Sequence, residues 1–422
     1  MEYRKRICDE ILKNKLDLLG AVLIEGTKGC GKTTTATQQA KTVILMNDPD
    51  KDYLALAEIR PSALLKGDTP LLLDEWQLAP QLWDSVRFEV DKRASTGQFI
   101  LTGSATPVDK TRIHHSGIGR ISRMTMRPMS LYESGDSSGE VSLRSLFEGG
   151  SDFFLETDTD IDRTAYLVCR GGWPQVLDKD EGKALQISYE YVKGLVETDL
   201  AEAVGRKINK TKAERLLKSY SRNIGTQTSI EEIRKDIIGK GANTQFGINT
   251  LHKYIDALKD CYIIEDAESW CAQLRSRTVI RSTPTRYFVD PSIAAAALRI
   301  GPDDLVNDLR TFGFLFENMV IRDLRVYAES IDGDVYHYLD RDNLECDAVI
   351  HLRNGKYGLI EIKLGGEANI EKGAGSLNRL EAKIDVSAMN APSFKMVIVG
   401  VGQHAYKRRD GVIVMPVTCL RN

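Results

Sequence analysis

Among the seven cysteines of this 422-residue chain there is no C-x-x-C pair, and the count is odd. Disulfide staples and a thiolate zinc site are therefore not expected; free thiols in a reducing compartment are. No apolar run approaches the ~18 residues that span a bilayer. The opening "MEYRKRICDEILKNKL" has no apolar secretion core. A cytoplasmic protein with no membrane partner is expected. A basic excess is also missing: 57 Lys and Arg face 60 Asp and Glu, for a net charge of −3. That excludes a uniformly basic nucleic-acid binder and leaves a local basic face open. No internal repeat is found. With 42% apolar and 28% charged residues, the chain fits a globular protein of two to three domains.

What is present begins with alternation. "GAVLIEG" (20–26), "TPLLLDEWQ" (69–77) and "QFILTGSA" (98–105) read as short buried strands. "KTTTATQQAKTVI" (32–44) and "LWDSVRFEVDKRA" (82–94) read as helices, the second with Leu82, Val86 and Val90 along one side. This predicts an α/β fold with a parallel sheet over residues 1–132. Residues 133–160 turn acidic and rich in Ser and Gly, which reads as a linker. Residues 161–304 are mostly helical, and 206–270 carry the order helix, helix, helix, strand of a winged helix. Residues 305–422 form a second α/β domain: a helix over 311–328, several strands, an Asn354-Gly355 turn and a helix over 376–389.

The densest chemistry lies in "GTKGCGKT" (26–33), which fits G-x-x-x-x-G-K-[ST] between a strand and a helix. Glycines let the backbone curl so that its N–H groups face a phosphate. The predicted ATP site comprises Gly26, Thr27, Lys28, Gly29, Cys30, Gly31, Lys32, Thr33 and Thr34. Lys32 is placed to reach the β- and γ-phosphates and the Thr33 hydroxyl to ligate Mg²⁺. Cys30 is expected to make the site sensitive to thiol reagents. "LLLDE" (71–75) ends a buried strand in two acids. Asp74 is expected to hold the Mg²⁺ shell and Glu75 to polarise the attacking water.

"LIEGTKGCGKTTTA", "LLLDEWQLAP", "FILTGSA" and "GRISRMTMRPMSLYE", followed by "CRGGWPQVL", "YFVDPSIAAAAL", "FLFENMV", "ECDAVI" and "LIEIKLG", resemble a prokaryotic family of AAA-type ATPases. Its members carry a C-terminal domain of unknown function related to the PD-(D/E)XK nuclease fold. The resemblance implies that Thr102 or Ser104 senses the γ-phosphate or the water. It also implies that Arg120, with Arg123 and Arg112 as competitors, completes a neighbouring subunit's site, and so implies a homo-oligomer.

Glu361 and Lys363 stand two apart in "GLIEIKLGG" (358–366), so both point to one face of an apolar strand. With Asp347 on the preceding strand and Glu317 on the long helix, the order resembles the PD-(D/E)XK constellation. That implies a second Mg²⁺ or Mn²⁺ site, in a domain that is either an active nuclease or a relic. Lys207, Lys210, Lys212, Arg215, Lys218 and Arg222, with His252, Lys253 and Lys259, mark a basic face for which DNA is the candidate partner. Two functions follow: an ATPase whose nucleotide state controls a DNA-facing, nuclease-like module, or an ATP-switched interaction protein with an inert C-terminal domain.

Overall fold

Short runs of aliphatic residues build the first sheet. β1 (Ala21–Glu25), β2 (Thr42–Leu45), β3 (Leu71–Asp74), β4 (Phe99–Gly103) and β5 (Ile121–Thr125) lie parallel in the order β2-β3-β4-β1-β5. Alternate residues face opposite sides, and both sides are covered, which is why these strands read as unbroken apolar runs. Leu23, Leu71, Leu73, Phe99 and Leu101 pack with Trp83, Val86 and Val90 of helix Leu82–Arg93. Val22, Ile24, Leu72 and Ile100 pack on the other side with Leu12 and Leu16 of helix Ile7–Leu18.

The computed structural model describes residues 3–107, 110–200, 209–239, 246–271, 283–387 and 389–422. The sheet belongs to one unit, formed by Met1–Pro128, Leu195–Ile208 and Lys253–Ile263; Met129–Gly194, Asn209–His252 and Ile264–Asn422 form the other. Residues 161–304 contribute to both units.

In the second unit, β6 (Val141–Ser142) pairs with β14 (Leu420–Arg421). A mixed sheet runs β7-β12-β13-β11-β10-β9-β8. Its strands are β7 (Phe154–Thr159), β8 (Gly333–Leu339), β9 (Glu345–Leu352), β10 (Tyr357–Lys363), β11 (Phe394–Val399), β12 (Gly402–Lys407) and β13 (Val412–Pro416). β9 and β10 form the expected hairpin, with Gly355 at φ 82 in its turn.

Three sequence expectations are corrected. The helix expected over 32–44 stops at Thr37, because β-branched Thr42, Val43 and Ile44 instead pair with β3. Residues 133–160 are not a linker. Val141 and Ser142 pair with the C-terminal strand, and β7 forms an edge of the second sheet, paired with β12. An edge strand needs no apolar stripe, so its acids disguised it. The helix expected over 376–389 spans Glu367–Lys383. Gly373, which reads as a breaker, sits inside it where a Cβ would stand 3.3 Å from the Glu361 Cβ, so the glycine permits close packing on β10. The span expected to form a winged helix contains helices Lys210–Arg222, Ile230–Ile238 and Ile248–Asp260, followed by antiparallel bridges Ile264↔Phe288 and Ala267↔Thr285. Residues 206–208 and 240–245 of that span, Lys207 included, lie outside the described residues.

A buried ionic hub joins the middle segment to the C-terminal helix Leu309–Glu329. Arg322, 1% exposed at its side chain, pairs with Asp290 at 2.9 Å and Asp323 at 2.7 Å. Asp290 also accepts from Gly172 N at 2.9 Å, and Asp323 from Leu131 N at 3.0 Å. Trp173 anchors the same turn through Ser292 Oγ at 2.9 Å. Removing one member leaves buried charge without its partner. Arg322→Ala should therefore cost about 3–5 kcal/mol, read as a lowered urea midpoint for the second unit. An unchanged midpoint would contradict the hub's role.

Candidate functional site

β1 delivers the chain into the glycine loop, and helix Lys32–Thr37 leaves it. Two glycines there are dictated by space and dihedral angle. A Cβ on Gly26 would meet Met126 O at 2.1 Å, and Gly31 has φ 105. Arg6, buried at 4% exposure, donates to Cys30 O at 2.9 Å and to Arg127 O at 2.9 Å, bracing the loop from outside. The Cys30 thiol is fully buried and bonds Met126 O at 3.3 Å. This corrects the expectation of a reagent-accessible thiol, since reactivity requires exposure. Thr27 is buried, while Lys28, Gly29 and Thr34 are exposed. The Lys32 ammonium is folded onto its own loop, donating to Gly26 O at 2.7 Å and Thr27 O at 2.9 Å.

The register Leu73↔Leu101 sets Thr102 beside Asp74 at the ends of adjacent strands. Asp74 Oδ1 accepts from Thr33 Oγ1 at 2.7 Å and from Thr102 Oγ1. Burial pushes the Asp74 carboxyl up, and the two hydroxyls oppose that shift. The next residue, Glu75, has φ 54, a left-handed conformation uncommon outside glycine. Its carboxylate accepts from Ser104 Oγ at 2.8 Å and from Gln77 Nε2. Thr102 thus serves Asp74 and Ser104 serves Glu75. Sequence reasoning missed Gln77, whose only signal is a polar residue two places after the acids, and Arg6, which precedes every motif.

Arg120 is half exposed and pairs with Asp91 at 2.8 Å. Arg123 pairs with Glu25 at 2.9 Å and Arg112 with Glu58 at 2.6 Å. All three sit in surface ion pairs of a kind worth about 0–1 kcal/mol, so each can be released cheaply.

In the second unit, Lys363 Nζ lies 2.9 Å from Asp347 Oδ2 and 2.6 Å from Glu361 Oε2. Ile362 N also donates to Asp347 at 2.7 Å. Glu317 accepts from the buried Tyr287 hydroxyl, and Glu345 accepts from Gln227 Nε2 at 3.3 Å. Tyr287, Gln227 and Glu345 went unforeseen because they lie outside the motif order. Burial, and then the Asp347 charge, push Glu317, Glu345 and Glu361 upward, while Lys363 counters the shift in each. The four predicted residues therefore share one neighbourhood, but a lysine bridges two of the acids. Among the described residues, no group of three or more His, Cys, Asp or Glu side chains is arranged to hold a metal ion.

Helix Lys210–Arg222 buries Ala213, Leu216, Leu217 and Tyr220. Lys210, Arg215, Lys218 and Arg222 are exposed, and Lys212 lies 5.5 Å over the Phe246 ring. His252, Lys253 and Lys259 are exposed as well.

Comparison with known proteins adds three segment matches. Residues 20–135, which carry the glycine loop, match the family described as AAA domain. Residues 161–304 and 312–420 match two domains of unknown function, DUF8612 and DUF4143. Uncharacterized proteins of Mycobacterium bovis and Mycobacterium tuberculosis are each 23% identical over 407 residues, covering 96% of this chain and 82% of theirs. Among solved structures, Aeropyrum pernix ORC2 in ADPNP–ADP complexes aligns with a TM-score of 0.32 and 13% identity, over 71% of this chain and 93% of that one. Drosophila ORC bound to DNA aligns with a TM-score of 0.17 and 13% identity, over 69% and 85%. No helix among the described residues is long and apolar enough to cross a membrane.

The lysine bridge has a pH signature. Lys363→Met removes the ammonium that holds Glu317, Glu345 and Glu361 down, so their carboxyls rise further. A carboxyl raised in the folded state favours folding below its unfolded value and loses that benefit as pH climbs. The melting temperature of Lys363→Met should therefore fall further below wild type at pH 8 than at pH 5. A gap that is constant with pH would contradict the bridge.

Proposed function

We propose that this protein is an Mg²⁺-dependent ATPase whose nucleotide state controls a DNA-facing C-terminal module. The observation that carries the reading is the meeting of Thr33 and Thr102 on the buried Asp74 carboxylate, beside a loop whose lysine is already turned inward. Mg²⁺ bound with ATP would supply positive charge against the phosphate oxygens, and Thr33 and Asp74 are the residues that would hold it. The narrow Gly26 turn supports the fit, since a side chain there would collide with Met126 O. Lys32 exchanges the Gly26 and Thr27 carbonyls for phosphate oxygens. Thr102 orients Asp74, while Ser104 and Gln77 hold Glu75 as general base for water. Arg120, released from Asp91, acts on a neighbouring copy's phosphate, with Arg123 and Arg112 as competitors. The exposed lysines and arginines of 210–222, with His252, Lys253 and Lys259, face the DNA backbone.

The second reading is an ATP-switched interaction protein with an inert nuclease-like domain. The Lys363 bridge between Asp347 and Glu361 favours it. Among the described residues, no group of three or more His, Cys, Asp or Glu side chains offers a ready second Mg²⁺ or Mn²⁺ site.

Two substitutions test the ATPase. Lys32→Ala should weaken ATP binding by ~100-fold or more, ~2.7 kcal/mol by calorimetry. Undiminished affinity would refute the site. Glu75→Gln should keep the affinity and lose roughly 100- to 10,000-fold in turnover; wild-type turnover would move the base elsewhere. ATPase rates with and without DNA, and Mg²⁺- or Mn²⁺-dependent cleavage by wild type and Lys363→Ala, separate the two readings. Neither stimulation nor cleavage would leave the second.

A further inference from the structure

The stretch Lys253–Ile263, which carries the last turns of helix Ile248–Asp260, is folded into the first unit. Those turns bury Ile255, Ala257 and Leu258, and Cys261 just beyond them is buried as well. The chain then turns at Tyr262, whose φ of 56 is left-handed without glycine's freedom. Bonds from this turn reach the nucleotide-facing edge of the parallel sheet, among them these two. Asp260 O accepts from Thr106 N at 3.0 Å. The Tyr262 hydroxyl donates to Glu25 Oε1 at 2.8 Å, and Arg123 holds the same carboxylate at 2.9 Å.

The places of these two contacts matter. Thr106 follows closely on Thr102 and Ser104, the hydroxyls that hold Asp74 and Glu75. Glu25 ends β1 and directly precedes Gly26 of the phosphate loop. The helix end therefore touches one segment leaving the sensor strand and another entering the loop. Burial raises the Tyr262 phenol above its ordinary range and the Glu25 charge adds to this, so it stays a protonated donor at neutral pH.

We propose that helix Ile248–Asp260 is the element that reads nucleotide occupancy, through Tyr262–Glu25 at the loop entrance and Asp260–Thr106 behind the sensor hydroxyls. The inference rests on nucleotide binding at the loop and adds the path by which that binding leaves the sheet. A shift of the 102–106 segment, or of β1's last residue, moves the helix's anchored end. The helix carries the displacement back to Lys253 within the first unit, because its backbone bonds make it stiff over this length. Exposed Lys253 and Lys259 then change position with the nucleotide.

Hydrogen–deuterium exchange on the full chain tests this, with Mg²⁺ and either ADP or a non-hydrolysable ATP analogue. In wild type, peptides over 26–33 should gain protection with either nucleotide. Exchange across 253–263 should differ about tenfold between the two states, within the usual range of allosteric coupling. Tyr262→Phe removes one oxygen and leaves Glu25 its Arg123 partner, so it should fold. It should keep the loop protection and wild-type turnover, while the 253–263 difference falls below about twofold. Loop protection with no change across 253–263 would overturn the inference and leave nucleotide binding standing, as would a Tyr262→Phe response as large as wild type. No loop protection at all would sink both.

Discussion

The buried carboxylate of Asp74 is the point on which the first unit depends. Burial drives it toward the neutral acid, and an uncompensated charge there would be costly. Two hydroxyls from different parts of the chain restrain it, Thr33 from the glycine loop and Thr102 from β4. Satisfying Asp74 therefore requires β1, β3 and β4 to be adjacent and in register, which the parallel order supplies. In open α/β sheets, ligands bind at the carboxyl ends of strands where the connection direction changes. Here β1 lies between β4 and β5, so the loop leaves the sheet at such a point.

The second unit repeats the theme with the opposite balance. Four acids, Glu317, Glu345, Asp347 and Glu361, approach one ammonium, that of Lys363. Tyr287 and Gln227 supply neutral donors to Glu317 and Glu345. In the first unit neutral hydroxyls hold a buried acid. In the second unit a lysine already provides the cation. The same residue types thus lead to different chemistry, and the difference lies in where one positive group comes to rest.

Much of this was legible in the chain. The three nucleotide-unit strands, helix Leu82–Arg93, the β9–β10 hairpin and the grouping of Glu317, Asp347, Glu361 and Lys363 follow the sequence pattern closely. The misses share a cause. β7 is an edge strand with no apolar stripe, and Gly373 looks like a helix breaker until β10 lies against it. The strand at 42–45 was absorbed into a helix because β-branched residues declare themselves only against a partner strand. Arg6, Gln77, Tyr287 and Gln227 carry no motif; each gains a role solely from the atoms it meets.

The sequence by itself determined the local chemistry: a glycine loop before a helix, two acids at a strand end, and two opposite charges on one strand face. These are consequences of backbone freedom, apolar runs and a side-chain period of two, all of which act between near neighbours. Only the tertiary structure decided which hydroxyl holds which acid, that Lys363 bridges Asp347 and Glu361, and that Tyr262 comes to Glu25 across more than half the chain. Such pairings depend on strand order and register, which long-range packing selects, and no short stretch of residues encodes them alone.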